Sequence, residues 1–372
     1  MKMNIAFAAN RLTKYDAASN YSVAVVEKLS RKNKVDLYAF SIEREISQDV
    51  KPYNYTRKNA HNLWSVLSAI LKIHSLSKRF SKYDMVVVAS PDVTILPIIH
   101  LAKLFNPHIK LVWDFHGLTP PQFFDSYREK FLMWIRQIAF FWSMKRSDYI
   151  KVDSDHIKKE VESKIDRRDI KTLYIGINTD RFKNINIKNI KEILRLEGRF
   201  VMIYVGRLAA SKMIDFLIKA MQDLDGTVLL VAGDGEERES LKNLAHSLNL
   251  EDEVIFIGRV SDYDLPKYYS VSDVFVTASL HEGFCVPIIE SFASGKPVIV
   301  PDRAAMPEIA GEAGLVYEPG SINDFVSKVQ MLKNDSNLRE QLSRKASDRS
   351  GKFDLEKSVK TYEEFLENLN RS

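Results

Sequence analysis

Glu282 and Glu290 bracket a stretch, E-G-F-C-V-P-I-I-E, whose residue types can hold a charged ligand. Apolar Val271–Ala278 ahead of it reads as a buried strand, His281–Val286 as a polar loop, and Pro287 as the opening of a helix that stops at Gly295. Pro at a first helical position and Gly just past the last are the expected punctuation. The loop therefore brings the backbone N–H groups of Gly283, Phe284, Cys285 and Val286 to a helix start. N–H groups at a helix start have no partner within the helix, and with the positive end of the dipole they favour an anion there. Phosphate alone has no use for two neighbouring carboxylates. A ligand whose phosphates are flanked by hydroxylated rings does, because carboxylates accept hydrogen bonds from hydroxyls. On spacing alone, the strand, turn and helix of any α/β domain would serve as well.

A second group, G-R-L-A-A-S-K, places Gly206, Arg207 and Lys212 in a turn between a strand over 199–206 and a helix with Ile214, Leu217, Ile218 and Met221 on its core face, which Ser211 can cap. Arg as a planar fork and Lys as a point charge could clamp a diphosphate. Spacing alone is equally consistent with two surface cations. A third candidate, His116, follows a strand over 110–114 in the run D-F-H-G-L. Open α/β sheets place ligand groups at that end of a strand, although a lone His is more often structural. Asp262-Tyr263-Asp264 has the look of a metal-binding D-x-D, but Ser261 and Asp262 precede a helix and capping accounts for them. No metal is expected.

The elements that must position these groups alternate between strand and helix. Asn4–Ala9, Val35–Ser41, Met85–Ala89 and Asp148–Val152 read as strands in the first half. Helices are expected over 20–29, 63–80, after a turn at Pro91 through about Leu104, and from the Asp153-Ser154-Asp155 cap to about Lys164. The second half continues with strands at 227–232 and 254–257, and ends in an amphipathic helix over 355–369. The expected class is α/β, in two domains. The first covers 1–183, a polar linker 184–198 follows, and the second covers 199–354, with the last helix packed back on the first domain.

Taken together, Glu282, Glu290, the intervening E-G-F-C-V-P-I-I-E-S-F-A-S-G-K-P-V-I and the P-E-I-A-G-E-A-G that follows resemble the retaining nucleotide-sugar glycosyltransferases of the GT-B architecture, family four. The resemblance is strong over 199–320 and weaker over 1–198. It implies two facing Rossmann-like domains with parallel sheets and a cleft between them. It implies Arg207 and Lys212 on the donor diphosphate, Glu282 on the donor sugar and Glu290 on the ribose. By the same resemblance His116 meets the donor sugar, main-chain atoms around Arg259 and Val260 touch the base, and no metal or other cofactor is used. The family usually has Gly where Cys285 stands. It also has two adjacent glycines near the first strand, where this chain has Ala17-Ala18-Ser19. The implied activity is transfer of a sugar from a nucleoside diphosphate to an acceptor hydroxyl. A nucleotide-sugar epimerase and a non-catalytic, nucleotide-sugar-binding partner subunit are the alternatives.

The totals bound what else the chain can be. Its 372 residues are 45% hydrophobic and 28% charged, ordinary for a protein with a sizeable core. Cys285 is the single cysteine, which excludes an internal disulfide and suggests a reducing, cytoplasmic compartment. No apolar run is long enough to cross a membrane, and the short one after Met1 fits a strand better than a signal. Residues 1–200 hold 35 Lys and Arg against 21 Asp and Glu; residues 201–372 hold 19 against 28. A basic first half suggests an anionic partner, or simply a solvated basic face. Within it, 122–146 interleaves Phe123, Phe124, Phe131, Trp134 and Trp142 with Arg128, Lys130, Arg136, Lys145 and Arg146. Such a helix can pack on the sheet or lie on an anionic membrane surface, here the inner face. Nucleic acid fits less well, because the aromatics cluster in a helical block. The expected acceptor is a carbohydrate, phosphorylated or lipid-linked one.

Overall fold

Runs such as MVVVA and TVLLVA lack polar alternation, as expected of strands buried on both faces of a parallel sheet. The computed structural model describes residues 2–12, 17–43, 46–47, 50–54, 73–89, 95–118, 120, 126–183, 185 and 188–371. It divides into two units, Met1–Ile175 with Glu356–Ser372, and Gly176–Leu355.

The first unit is a seven-stranded parallel sheet in the order β3-β2-β1-β4-β5-β6-β7. Its strands are β1 Asn4–Leu12, β2 Lys34–Ile42, β3 Lys51–Asn54, β4 Met85–Ala89, β5 Lys110–Phe115, β6 Tyr149–Val152 and β7 Ile170–Thr172. Its helices are α1 Ala17–Ser30, α2 over 73–80, α3 Leu96–Phe105, α4 Tyr127–Lys145 and α5 Asp155–Ile165. Ile5, Val86, Leu111, Trp113, Phe140 and Ile157 are among its buried side chains. The expected turn at Pro91, the start of the 63–80 helix, Phe123 and Phe124 lie outside the described residues, as does most of the loop before α1. Ser154 alone caps α5, accepting from the Ile157 N–H at 3.2 Å.

The second unit is a six-stranded parallel sheet, β10-β9-β8-β11-β12-β13. These strands are β8 Phe200–Val205, β9 Thr227–Ala232, β10 Val254–Gly258, β11 Val274–Val276, β12 Val298–Pro301 and β13 Gly314–Tyr317. The helices are α6 Lys188–Ile193, α7 Ile214–Ala220, α8 Arg238–Ser247, α9 Leu265–Val271, α10 Val286–Ala293, α11 Met306–Ala310, α12 Ile322–Asn334 and α13 Ser336–Ser350. Its core centres on Met202, Tyr204, Leu217, Leu229, Val276, Ile299 and Phe325. Residues 176–198 belong with this unit, including α6 inside the expected linker, and Ile177 bridges to Asp354.

The last helix, α14 Leu355–Arg371, lies with the first unit from Glu356 onward. Tyr21 on α1 and Ser358 on α14 share a hydrogen bond of 2.9 Å, and Ser358 donates to the Tyr174 carbonyl at 2.5 Å. In both sheets the first strand has the second on one side and the fourth on the other. Chain direction across the sheet reverses there, opening a crevice beyond the strands' carboxyl ends.

Candidate functional site

In the second unit that reversal falls between β8 and β11, which pair through Met202 with Val274. The loop after β8 carries Arg207 and Lys212; the loop after β11 carries Glu282. Topology alone thus brings them to one crevice. Lys212 Nζ lies 2.5 Å from Glu282 Oε1, and both side chains are partly buried. The loops are tied by the Leu280 N–H donating to the Ser211 carbonyl at 2.9 Å. Ser211 does not cap α7 as expected. Residues 210–212 instead form a short 3-10 turn, and Met213, at φ 51°, precedes the helix without a side-chain cap. Arg207 is 71% exposed and pairs with Glu236, not with Glu282, so the two cations flank one turn but hold different carboxylates.

Cys285 sits at the N-cap of α10 in the left-handed region, φ 70° and ψ 71°. A residue with a Cβ pays about 1–2 kcal/mol for that conformation, which explains why the resemblance leads one to expect Gly. Its side chain is buried, and burial pushes the thiol well above its usual range. A buried thiol pushed in that direction is a poor thiolate source. One turn into α10, Glu290 Oε2 accepts from the Tyr269 hydroxyl at 2.9 Å. Burial raises Glu290 to about 7, with the Tyr269 hydrogen bond opposing it. Tyr269, on α9, gave no sequence signal beyond its place on an apolar helix face.

Beyond β10, Arg259 and Val260 line a cavity of about 240 Å³ with Ile190, Ser261, Lys267 and Tyr268. Ser261 accepts from the Asp264 N–H at 3.1 Å and Lys267 holds Asp264 at 2.7 Å, but α9 follows Asp264 without a side-chain cap, so Ser261 and Asp262 precede the helix without capping it as expected. The G-D-G run has a packing role. A Cβ on Gly233 would sit 1.8 Å from the Gly206 carbonyl oxygen, and one on Gly235 would sit 2.3 Å from that of Leu208. The ends of β8 and β9 close on one another through glycine, with Gly206 N–H bonded to the Ala232 carbonyl at 3.0 Å.

In the first unit His116 belongs to a buried polar cluster. Asp114 pairs in register with Lys151 across β5 and β6, and strand alternation puts His116 and Asp153, two residues on, on the same face. Lys151 Nζ lies 2.8 Å from Asp114 and 2.6 Å from Asp153; His116 Nδ1 lies 2.6 Å from Asp153 Oδ2. The rings of Tyr21 and Tyr362 flank the ammonium at 5.3 and 5.5 Å. Burial works against both cations, but Asp114 and Asp153 outweigh it, raising Lys151 and His116 above their ordinary values. Asp153 is held below its usual range, as His116 and Lys151 overcome its burial. His116 Nε2 is buried and has no hydrogen-bond partner among the described residues. Asp114, His116 and Asp153 are spaced as metal ligands could be, yet Lys151 already supplies positive charge between the carboxylates. The capping signal of Asp153-Ser154-Asp155 had hidden this role for Asp153.

Two α/β units, each a parallel sheet with this strand reversal, form the GT-B class of architecture. Structures of the same fold include Anabaena Alr3699/HepE in complex with UDP and glucose, at TM-score 0.80, 18% identity and coverage of 98% of this chain and 100% of that one. WaaG, a glycosyltransferase involved in lipopolysaccharide biosynthesis, matches at TM-score 0.73 and 17% identity over 97% of this chain and 99% of that one. The description "Glycosyl transferases group 1" matches residues 186–349, and "Glycosyltransferase Family 4" matches 18–181. An uncharacterized glycosyltransferase of Methanocaldococcus jannaschii is 31% identical over 269 residues, 70% of each chain. The chain belongs to the group 1 glycosyltransferase family. Sulfoquinovosyl transferase SQD2 of Arabidopsis thaliana is 24% identical over 73% of this chain, and the match spans about half, 54%, of that relative's length. Among the described residues no helix is long and apolar enough to cross a membrane.

Proposed function

We propose that the protein transfers a glycosyl unit from a nucleoside-diphosphate sugar to an acceptor hydroxyl, with the anomeric configuration kept and no metal required. The observation that carries this reading is the Lys212–Glu282 pair at the crevice, with the α10 N-terminus beside it and Glu290 one turn inside. Diphosphate departure develops negative charge, and donors already aimed at that charge stabilise it best. Lys212 and the N–H groups from Gly283 to Val286 supply such donors, and Arg207 joins them by leaving Glu236. Glu282 accepts from hydroxyls of the sugar and Glu290 from the ribose. Gly206 keeps the backbone close to the phosphates, while Arg259 and Val260 present main chain to the base. His116 is assigned to the donor sugar through Nε2, the ring nitrogen Asp153 leaves free of a hydrogen bond. The anomeric carbon–phosphate oxygen bond breaks as the acceptor oxygen bonds on the same face, and the acceptor proton passes to the leaving phosphate oxygen.

Support for the donor class comes from structures of the same fold in complex with UDP and UDP-glucose. Support for a lipid-linked, phosphorylated or carbohydrate acceptor in glycan or glycolipid assembly comes from relatives such as the lipopolysaccharide core glycosyltransferase LpsE of Rhizobium meliloti, 27% identical over 74% of this chain. A thermal-shift panel of uridine, guanosine and adenosine diphosphate sugars identifies the donor. A ligand at 100 times its dissociation constant stabilises by about 2.7 kcal/mol. Lys212→Ala and Glu282→Ala are then expected to lose at least about 100-fold in donor turnover, the scale of one lost transition-state donor. Full turnover in both variants refutes the assignment.

A further inference from the structure

Helix α4 is built the wrong way round for a core helix. At about 100° per residue, Tyr127, Phe131, Trp134, Ile135, Ile138 and Trp142 fall within an arc roughly 100° wide. All six are exposed, from 44% for Ile135 to 89% for Tyr127. The residues that α4 does bury, Phe140, Ser143 and Met144, lie on the opposite side. Its outward stripe is therefore as apolar as its inward one. The patch extends onto α3: the His100 ring meets Trp142 edge-on at 4.9 Å, and one turn further Leu104 and Phe105 are exposed too.

Cations bracket the stripe. Arg128 and Lys130 stand at its start, Lys145 and Arg146 at its end, and Glu129 is the one carboxylate in the helix. Arg146 lies 4.1 Å from the centre of the Trp142 ring and Lys130 lies 5.6 Å from that of Tyr127. Tyr and Trp with a cation at hand suit a boundary that is apolar on one side and charged on the other. A second copy of the chain fits less well. Stacking this face on its own image, parallel or antiparallel, sets cationic ends against cationic ends.

From this geometry we propose that α4 lies flat in the surface of an anionic lipid bilayer, its aromatic stripe among the upper acyl chains and its four flanking cations on lipid phosphates. The proposal does not depend on the reaction proposed above, and its test reads binding, not turnover. The full chain is sedimented with vesicles of phosphatidylcholine alone, and with vesicles that also contain phosphatidylglycerol. Binding to the mixed vesicles is expected, falling as salt rises because surface attraction is screened. Phe131→Ser with Trp134→Ser should weaken it at least about tenfold, since insertion scales with buried apolar area. Arg128→Glu with Lys145→Glu should abolish the preference for the anionic vesicles. All four residues are exposed, so melting temperature stays at the parent value and serves as the folding control. No sedimentation with either vesicle overturns the proposal, as does binding that both double variants leave unchanged. A dimer that Phe131→Ser with Trp134→Ser converts to a monomer overturns it too, in favour of a second copy.

Discussion

Single side chains carry the sharpest consequences. Lys151 neutralises two buried carboxylates, and removing one partner of such a group costs about 3–5 kcal/mol because the other charge stays behind. Lys151→Met is expected to lose that much in denaturant unfolding, whereas Lys151→Met with Asp114→Asn should recover a measurable part by restoring charge balance. Equal losses in the two would show that packing, not charge, is Lys151's contribution. Glu290 makes a prediction in pH. Burial puts its folded-state value at about 7, above the ordinary 4.5, so the folded protein holds a proton that the unfolded chain gives up. Stability is therefore lost as pH rises from about 4.5 to about 7. Glu290→Gln, which still accepts from Tyr269, should flatten that fall. Melting temperatures of both proteins between pH 5 and 8 check it, and parallel curves would refute it. His116, also raised, slopes the same way, but it is common to both proteins and cancels in the difference.

At the scale of elements, the glycine contact between β8 and β9 is unforgiving. Gly233 sits at φ 152°, and its missing side chain leaves room for the Gly206 carbonyl. Gly233→Ala forces apart the backbone segments that follow β8 and β9 and should destabilise the second unit by more than about 2 kcal/mol, at the upper end of strain effects. Urea unfolding reads this directly, and a loss below about 0.5 kcal/mol would contradict it. The same elements show how much of the fold was legible. Strands such as Met85–Ala89 and Thr227–Ala232 are read at sight, because burial on both faces leaves an unbroken apolar run. Lys51–Asn54 was missed, being a four-residue edge strand with a Pro, where neither run length nor alternation gives a signal. Lys188–Ile193 was hidden in a polar stretch, since a six-residue helix shows fewer than two turns of periodicity. The Glu282 loop and the turn at Lys212 were visible through residue types and punctuation. Their union was implied by the family resemblance and not by spacing, because only the strand order places β8 beside β11. The alternation of Asp114 with His116, and of Lys151 with Asp153, was present in the sequence. Its meaning requires knowing that β5 and β6 are neighbours.

At the scale of the whole molecule, the chain leaves the first unit at Ile175 and returns to it at Glu356. The returning helix is no appendage, for Tyr362 and Ser358 help enclose Lys151 and Tyr21. A chain ending at Asp354 is expected to show faster amide exchange across α1, β5 and β6, with β8 to β12 protected as before. Uniform loosening of both sheets would argue against that division. During synthesis the consequence is a reversed order of maturation. The ribosome releases every strand of the amino-terminal sheet early, yet the residues that close over its buried ammonium emerge only after the whole of the second unit. The carboxyl-terminal unit can thus be complete while its predecessor still waits for its lid, and a nascent chain stalled short of Glu356 would carry one finished half and one unsealed.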